Sequence, residues 1–161
     1  MKNIFVRLDR CTGCHTCELA CAVEHSKAKD LYASFVESPT PKRRLFVEKA
    51  DGRVFPVLCR HCDDAPCMNA CLSGALWRDE RGAVRRHKDK CIGCWTCIMA
   101  CPYGVITRSQ EAGKWLSVKC DLCDDRESPA CVASCPTKAL VWSSPEEFSA
   151  LRRRGFAAQV G

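Results

Sequence analysis

The run Cys91-Ile92-Gly93-Cys94-Trp95-Thr96-Cys97-Ile98-Met99-Ala100-Cys101-Pro102 constrains this chain more than any other stretch. Three thiols fall within seven residues and a fourth follows a three-residue gap. Variants of the run occur at Cys11, Cys14, Cys17 and Cys21, at Cys59, Cys62, Cys67 and Cys71, and at Cys120, Cys123, Cys131 and Cys135. These four groups use all 16 cysteines of the 161 residues. Thiols at this density are either cross-linked or bound to metal. The start, Met1 to Arg7, has no apolar run that reads as a secretion leader. No stretch approaches the roughly 18 apolar residues of a membrane span. A cytoplasmic location with reduced thiols is therefore expected, and clustered thiols there read as metal ligands.

The spacing C-x2-C-x2-C-x3-C-P is the ligand pattern of bacterial two-cluster ferredoxins, in which the fourth cysteine serves the neighbouring cluster. It points to cubane 4Fe-4S centres. Zinc sites favour two separated pairs over a triplet with a trailing fourth thiol, so zinc fits less well. The composition agrees. The 47% apolar content counts every cysteine; without them about 37% remains, low for an average domain. Such a chain needs metal centres as staples, and without them it is expected to be largely unfolded. The formal charge of +6 could suggest nucleic acid. Four oxidised four-thiolate centres at about −2 each bring the sum to about −2, which removes that argument.

In chain order, residues 2–8 read as a strand leading to the first group, with Gly13 permitting close backbone approach. Residues 18–24 read as a short helix and 27–44 as a basic connector, either solvated or a docking patch for an acidic surface. Asp51-Gly52 between two β-rich runs signals a hairpin over 44–58. Further hairpins are expected over 75–86 and 104–118, and a strand over 139–142. Ser144-Pro145-Glu146-Glu147 reads as a capping box opening a helix. Gly155 is expected to end that helix and leave a loose tail. The repeated unit is a cysteine group, a short helix, a strand, a turn and a strand, occurring four times.

A triplet does not easily wrap four corners of a cubane, so the groups must pair. Spacing leaves two pairings open: first with second and third with fourth, or first with fourth around second with third. His15 and His61 lie within the ligand loops, but 16 cysteines already fill four sites, so hydrogen bonding or surface roles suit them better. Trp77, Trp95, Trp115 and Trp142 read as packing residues rather than relays. Lys90, Lys119 and Arg60 adjoin ligand cysteines and are placed to tune potentials by positive charge.

The segments Cys11–Cys21, Cys59–Cys67, Cys91–Cys97 and Lys119-Cys120-Asp121-Leu122-Cys123 make residues 1–142 resemble the four-cluster iron–sulfur subunits of molybdenum and tungsten oxidoreductases, formate dehydrogenases and hydrogenases. The nearest likeness is to the carbon monoxide dehydrogenase-associated iron–sulfur proteins and the small subunits of tungsten aldehyde oxidoreductases. The resemblance implies nested pairing and four 4Fe-4S clusters. One would take Cys11, Cys14, Cys17 and Cys135; its neighbour Cys120, Cys123, Cys131 and Cys21. A third would take Cys59, Cys62, Cys67 and Cys101; the fourth Cys91, Cys94, Cys97 and Cys71. Ala22 and Leu72 depart from the family by standing where Pro follows the fourth cysteine elsewhere.

The expected fold is α+β: two interleaved bacterial-ferredoxin-like modules with short helices and β-hairpins, plus a C-terminal helix. The outer module would span about 1–40 with 116–142, the inner about 41–115, and the helix with its tail 143–161. No phosphate loop, nucleophile–base pair or flavin fingerprint is present, so the chain reads as a non-catalytic electron-transfer subunit. Its expected partners are a larger catalytic oxidoreductase subunit and a second redox partner (a hydrogenase, flavoprotein or ferredoxin). No nucleic acid or membrane span is expected. The resemblance also suggests that copies self-associate into a longer wire. The competing readings are a free, diffusible polyferredoxin and a non-redox metal-binding assembly protein.

Overall fold

The chain's first strand pairs with its last. In the computed structural model, which describes residues 1–160, β1 (Asn3–Val6) runs antiparallel to β8 (Leu140–Ser143), with Ile4 opposite Trp142 and Val6 opposite Leu140. Three hairpins lie between them. They are β2 (Leu45–Ala50) with β3 (Arg53–Leu58), β4 (Leu76–Arg78) with β5 (Val84–Arg86), and β6 (Thr107–Glu111) with β7 (Lys114–Val118). The tight turn of the first hairpin places Asp51 at φ 49° and Gly52 at φ 74°, the geometry that selects an Asp-Gly pair. Each of the four sheets has only two strands. Such a pair is marginal in water unless something packs against it.

The helices are equally dependent on their surroundings. They are α1 (Thr16–Glu24), α2 (Leu31–Phe35), α3 (Pro66–Asn69), α4 (Thr96–Ala100), α5 (Ala130–Ala133) and α6 (Pro145–Val160). Four have five residues or fewer, well short of the ~12–15 at which an isolated helix becomes marginal. In each cysteine group the third thiol sits in the first turn of a helix and the fourth lies four residues on, inside α1 in the first group and one or two residues past the helix end in the other three. Positions i and i+4 share a helix face, about 6 Å apart along the axis.

The buried side chains form two cores. One joins Ile4, Leu45, Leu58, Leu122, Ala139 and Leu140 to Cys17, Cys21, Cys131 and Cys135. The other joins Ala65, Leu76, Val84 and Ile106 to Cys97, with Cys67, Cys71 and Cys101 packed against it. Helix α1 packs on α5, and α3 on α4. Hairpin β2–β3, on the inner side of a boundary near residue 41, puts Leu45 and Leu58 into the first of these cores.

Several details differ from the sequence reading. The connector 27–44 contains α2, whose first turn is capped by Asp30 accepting from the Ala33 amide at 2.9 Å. Strand β6 starts at Thr107 instead of Gly104, because Val105 and Ile106 are taken into buried packing. The fourth repeat has one strand, not two, since its partner is β1. The capping box of α6 forms as read: the Glu147 amide donates to Ser144 Oγ at 3.2 Å and the Ser144 amide to Glu147 Oε2 at 2.8 Å. Gly155 does not end that helix, which runs through to Val160. Nothing packs there to favour a left-handed exit, and Gly155 keeps a negative φ. Residues 156–160 are therefore helical rather than loose, and Gly161 lies outside the described residues. Phe148 stacks on Phe5 at 4.7 Å and Arg152 pairs with Asp9 at 2.8 Å, which holds α6 against β1.

Candidate functional site: four cysteine sets

Three small cavities are each lined by four cysteines. Cys11, Cys14, Cys17 and Cys135 line one, with Val47, Pro56 and Leu140. Cys21, Cys120, Cys123 and Cys131 line a second, with Ile4, Leu45, Leu58 and Leu140. Cys59, Cys62, Cys67 and Cys101 line a third, with Val84, Val105 and Ile106. Of the remaining four thiols, Cys97 is raised by burial, against a hydrogen bond from Ser117, and the charges of Cys91, Cys71 and Cys94 are near enough to add to the rise. Each set takes three cysteines from one group and one from another.

The charges of the sets also act on one another in order. Cys17 adds to the strong upward push that burial gives Cys131, which links the first set to the second. Cys59 does the same for Cys120, linking the second to the third. Cys97 acts on Cys67, linking the third to the fourth. Cys14 and Cys94, one in the first set and one in the fourth, are the exposed cysteines.

The donor set and its spread fit an iron–sulfur cluster better than a single ion. Tetrahedral zinc at Zn–S of about 2.3 Å needs sulfurs about 3.8 Å apart. Among the described residues the one group of three metal-competent side chains within 4.8 Å is His25, Asp121 and Cys123, with a single thiol. The cysteine sets are wider, as a polynuclear core requires. Polar groups face the pockets as well. His61 is 3% exposed; its Nδ1 accepts from the Val84 amide at 3.0 Å. Its Nε2 is buried without a partner, and the residue lines the third cavity. The residues present thus suit 4Fe-4S centres, which would supply one-electron redox chemistry while the thiolates hold them.

Burial raises the Cys17 and Cys123 thiols to about 11, and Cys120 and Cys131 further. A metal cation displaces the proton that burial keeps on these thiols, and the proton leaves to solvent, so metal binding here is proton release. The exposed pair behaves differently. Hydrogen bonding from Thr16 lowers Cys14, and from Thr96 lowers Cys94, with Thr96 Oγ1 3.4 Å from the sulfur. Ser117 Oγ lies 3.6 Å from Cys91 Sγ, and the Arg44 amide donates to Cys21 Sγ at 3.3 Å. Hydrogen bonds to ligand sulfur are one of the protein's levers on cluster potential.

Some of this could not be read from spacing. His25, Arg44 and Asp121 form a network beside the second cavity. His25 Nε2 donates to Asp121 Oδ1 at 3.1 Å, Arg44 pairs with the other oxygen, and Asp121 also accepts from the Cys123 amide. Burial acts to lower His25, but its bonds to Asp121 and Cys21 lift it to about 9. No local pattern joins residues 25, 44 and 121. Of the basic residues flagged in sequence, Arg60 and Lys90 are exposed, where solvent screens them, while Lys119 is buried. His15 is exposed and pairs with Glu18 at 2.8 Å. Trp77 stacks on His87 and Trp115 under Arg108. Gly93 lets its ligand loop lie on β7, as only glycine can: at φ 68°, a Cβ there would meet the Trp115 carbonyl oxygen at 2.5 Å.

Known proteins resemble this chain in sequence. The family described as 4Fe-4S dicluster domain matches residues 50–144, and a 4Fe-4S binding domain matches residues 8–24. Electron transport protein HydN of Escherichia coli K12 is 42% identical, over 94% of this chain and 96% of that protein. An iron–sulfur protein of Rhodospirillum rubrum is 40% identical, over 98% of this chain and 90% of its own. A putative oxidoreductase of Escherichia coli K12, AegA, is 37% identical over 86% of this chain, a match that occupies only 21% of its length. With its thiol sets, buried donors and these relatives taken together, the chain belongs to the ferredoxin-like 4Fe-4S family of electron transport proteins.

Proposed function

We propose that the chain is a non-catalytic subunit that relays single electrons through four 4Fe-4S centres arranged in a line. The four cysteine sets are the ligand sets, and the two terminal sets, with Cys14 and Cys94 at the surface, are the ports. The observation that carries this reading is the crossed composition of the sets. Because a short helix carries the chain from the third thiol of each group to the fourth, each such segment lies between two neighbouring centres. Two interleaved modules result: first with fourth group, second with third, and hairpin β2–β3 serving the outer pair. The protein's part is spacing, hydrogen bonds to sulfur and exclusion of water.

The partners follow from the same reading. A larger catalytic subunit of the carbon monoxide dehydrogenase, tungsten or molybdenum aldehyde, or formate oxidoreductase type delivers or receives electrons at one port. A hydrogenase, flavoprotein or ferredoxin serves the other. Support comes from AegA, where a segment similar to this chain is a small part of a longer protein named as a putative oxidoreductase. Support also comes from α6, which is pinned by Phe148 and Arg152 yet leaves Phe156 69% exposed. Purification from the native cell in high salt tests the proposal. The chain is expected to travel with a larger redox subunit; recovery always as a lone protein would favour a diffusible carrier instead.

A further inference from the structure

Lys119 is 5% exposed, directly after β7 and directly before a cysteine of the second set. Its ammonium donates to the Val84 carbonyl and to the Cys120 carbonyl, the latter at 2.9 Å. Among the described residues no carboxylate pairs with it. The nearby acids are engaged elsewhere: Asp79 with Arg85, Asp121 with Arg44 and His25, Asp124 with Arg85 and Arg81. A buried charge is retained only when something of opposite sign compensates it. Two neutral carbonyls do not.

The missing negative charge lies on either side. Lys119 bonds on one side to Cys120, a thiol of the second set, and on the other to Val84, which lines the third cavity. We propose that Lys119 is the internal counter-ion of the two central centres, a fixed positive charge at the midpoint of the line. It favours the reduced, more negative state of both neighbours and offsets their mutual repulsion. The terminal centres feel it less, being farther away. This is a positioning and tuning role for a residue that does not itself touch iron, and it rests on the four-centre reading.

The test is a potentiometric titration of the purified holoprotein, followed by electron paramagnetic resonance. Lys119→Met keeps an unbranched stem of similar length and removes the charge; Lys119→Arg keeps the charge. The expected result is that Lys119→Met lowers two of the four midpoint potentials, each by about tenfold in the reduced-to-oxidised ratio, or 59 mV for a one-electron couple. The other two stay in place and Lys119→Arg leaves all four near wild type. If Lys119→Met loses iron while Lys119→Arg retains wild-type iron and potentials, charge compensation is again the cause. Unchanged potentials in Lys119→Met would overturn the proposal. So would equal loss of iron in both variants, or an equal shift of all four centres. A wild-type protein with fewer than four centres would instead fail the reading beneath it, which keeps the two outcomes apart.

Discussion

Stripping the iron by oxidation in the presence of a chelator is expected to unfold the chain. The far-ultraviolet dichroism should fall toward that of a coil, and the near-ultraviolet signal of the tryptophans should vanish. The reason is local. Four two-stranded sheets and four helices of five residues or fewer have no independent stability. What they pack against includes a set of buried and half-buried thiols: Cys17, Cys21, Cys131 and Cys135 buried in one core, Cys97 buried in the other with Cys67, Cys71 and Cys101 half-buried against it. Structural metal sites contribute on the order of 10 kcal/mol to folding, as much as a domain's whole net stability of about 5–15 kcal/mol. Retention of the native dichroism after complete iron loss would show that the apolar side chains alone suffice.

Replacing Cys101 is expected to remove a centre that its own group does not hold. Cys101 lies in the run Cys91–Pro102, yet it lines the cavity of Cys59, Cys62 and Cys67. Cys101→Ala should therefore cost about a quarter of the iron, and its difference spectrum should match that of Cys59→Ala. Cys71→Ala is the mirror experiment and should match Cys94→Ala. If Cys101→Ala instead matches Cys94→Ala, each group serves its own cluster and the crossed arrangement is wrong. The effect should be close to all-or-none for that centre, because no fifth cysteine lies in either set.

Much of this was legible in the sequence, for physical reasons. Thiolate spacing is a local property, so the four groups stand out without any fold. The Asp51-Gly52 turn and the Ser144 capping box are also local, and both occur as read. Other features depend on contacts between distant residues. Spacing left two pairings open, since a triplet does not reveal which helix will bring the fourth thiol. The pairing of β1 with β8 joins residues nearly the whole chain apart. Lys119 and Lys90 look alike beside their cysteines, and only burial separates a counter-ion from a solvated charge. His61 likewise reads as any loop histidine until it is seen lining a cavity with its Nε2 buried and unpartnered. Gly155 failed as a stop signal because a glycine ends a helix only where the chain also turns.

The central claim is that 16 cysteines hold four 4Fe-4S centres in one chain. Iron and acid-labile sulfide, measured per chain on anaerobically purified protein, test it most directly. Four centres require about sixteen of each and negligible zinc. About eight of each would mean two centres, and zinc without sulfide would contradict the redox reading altogether.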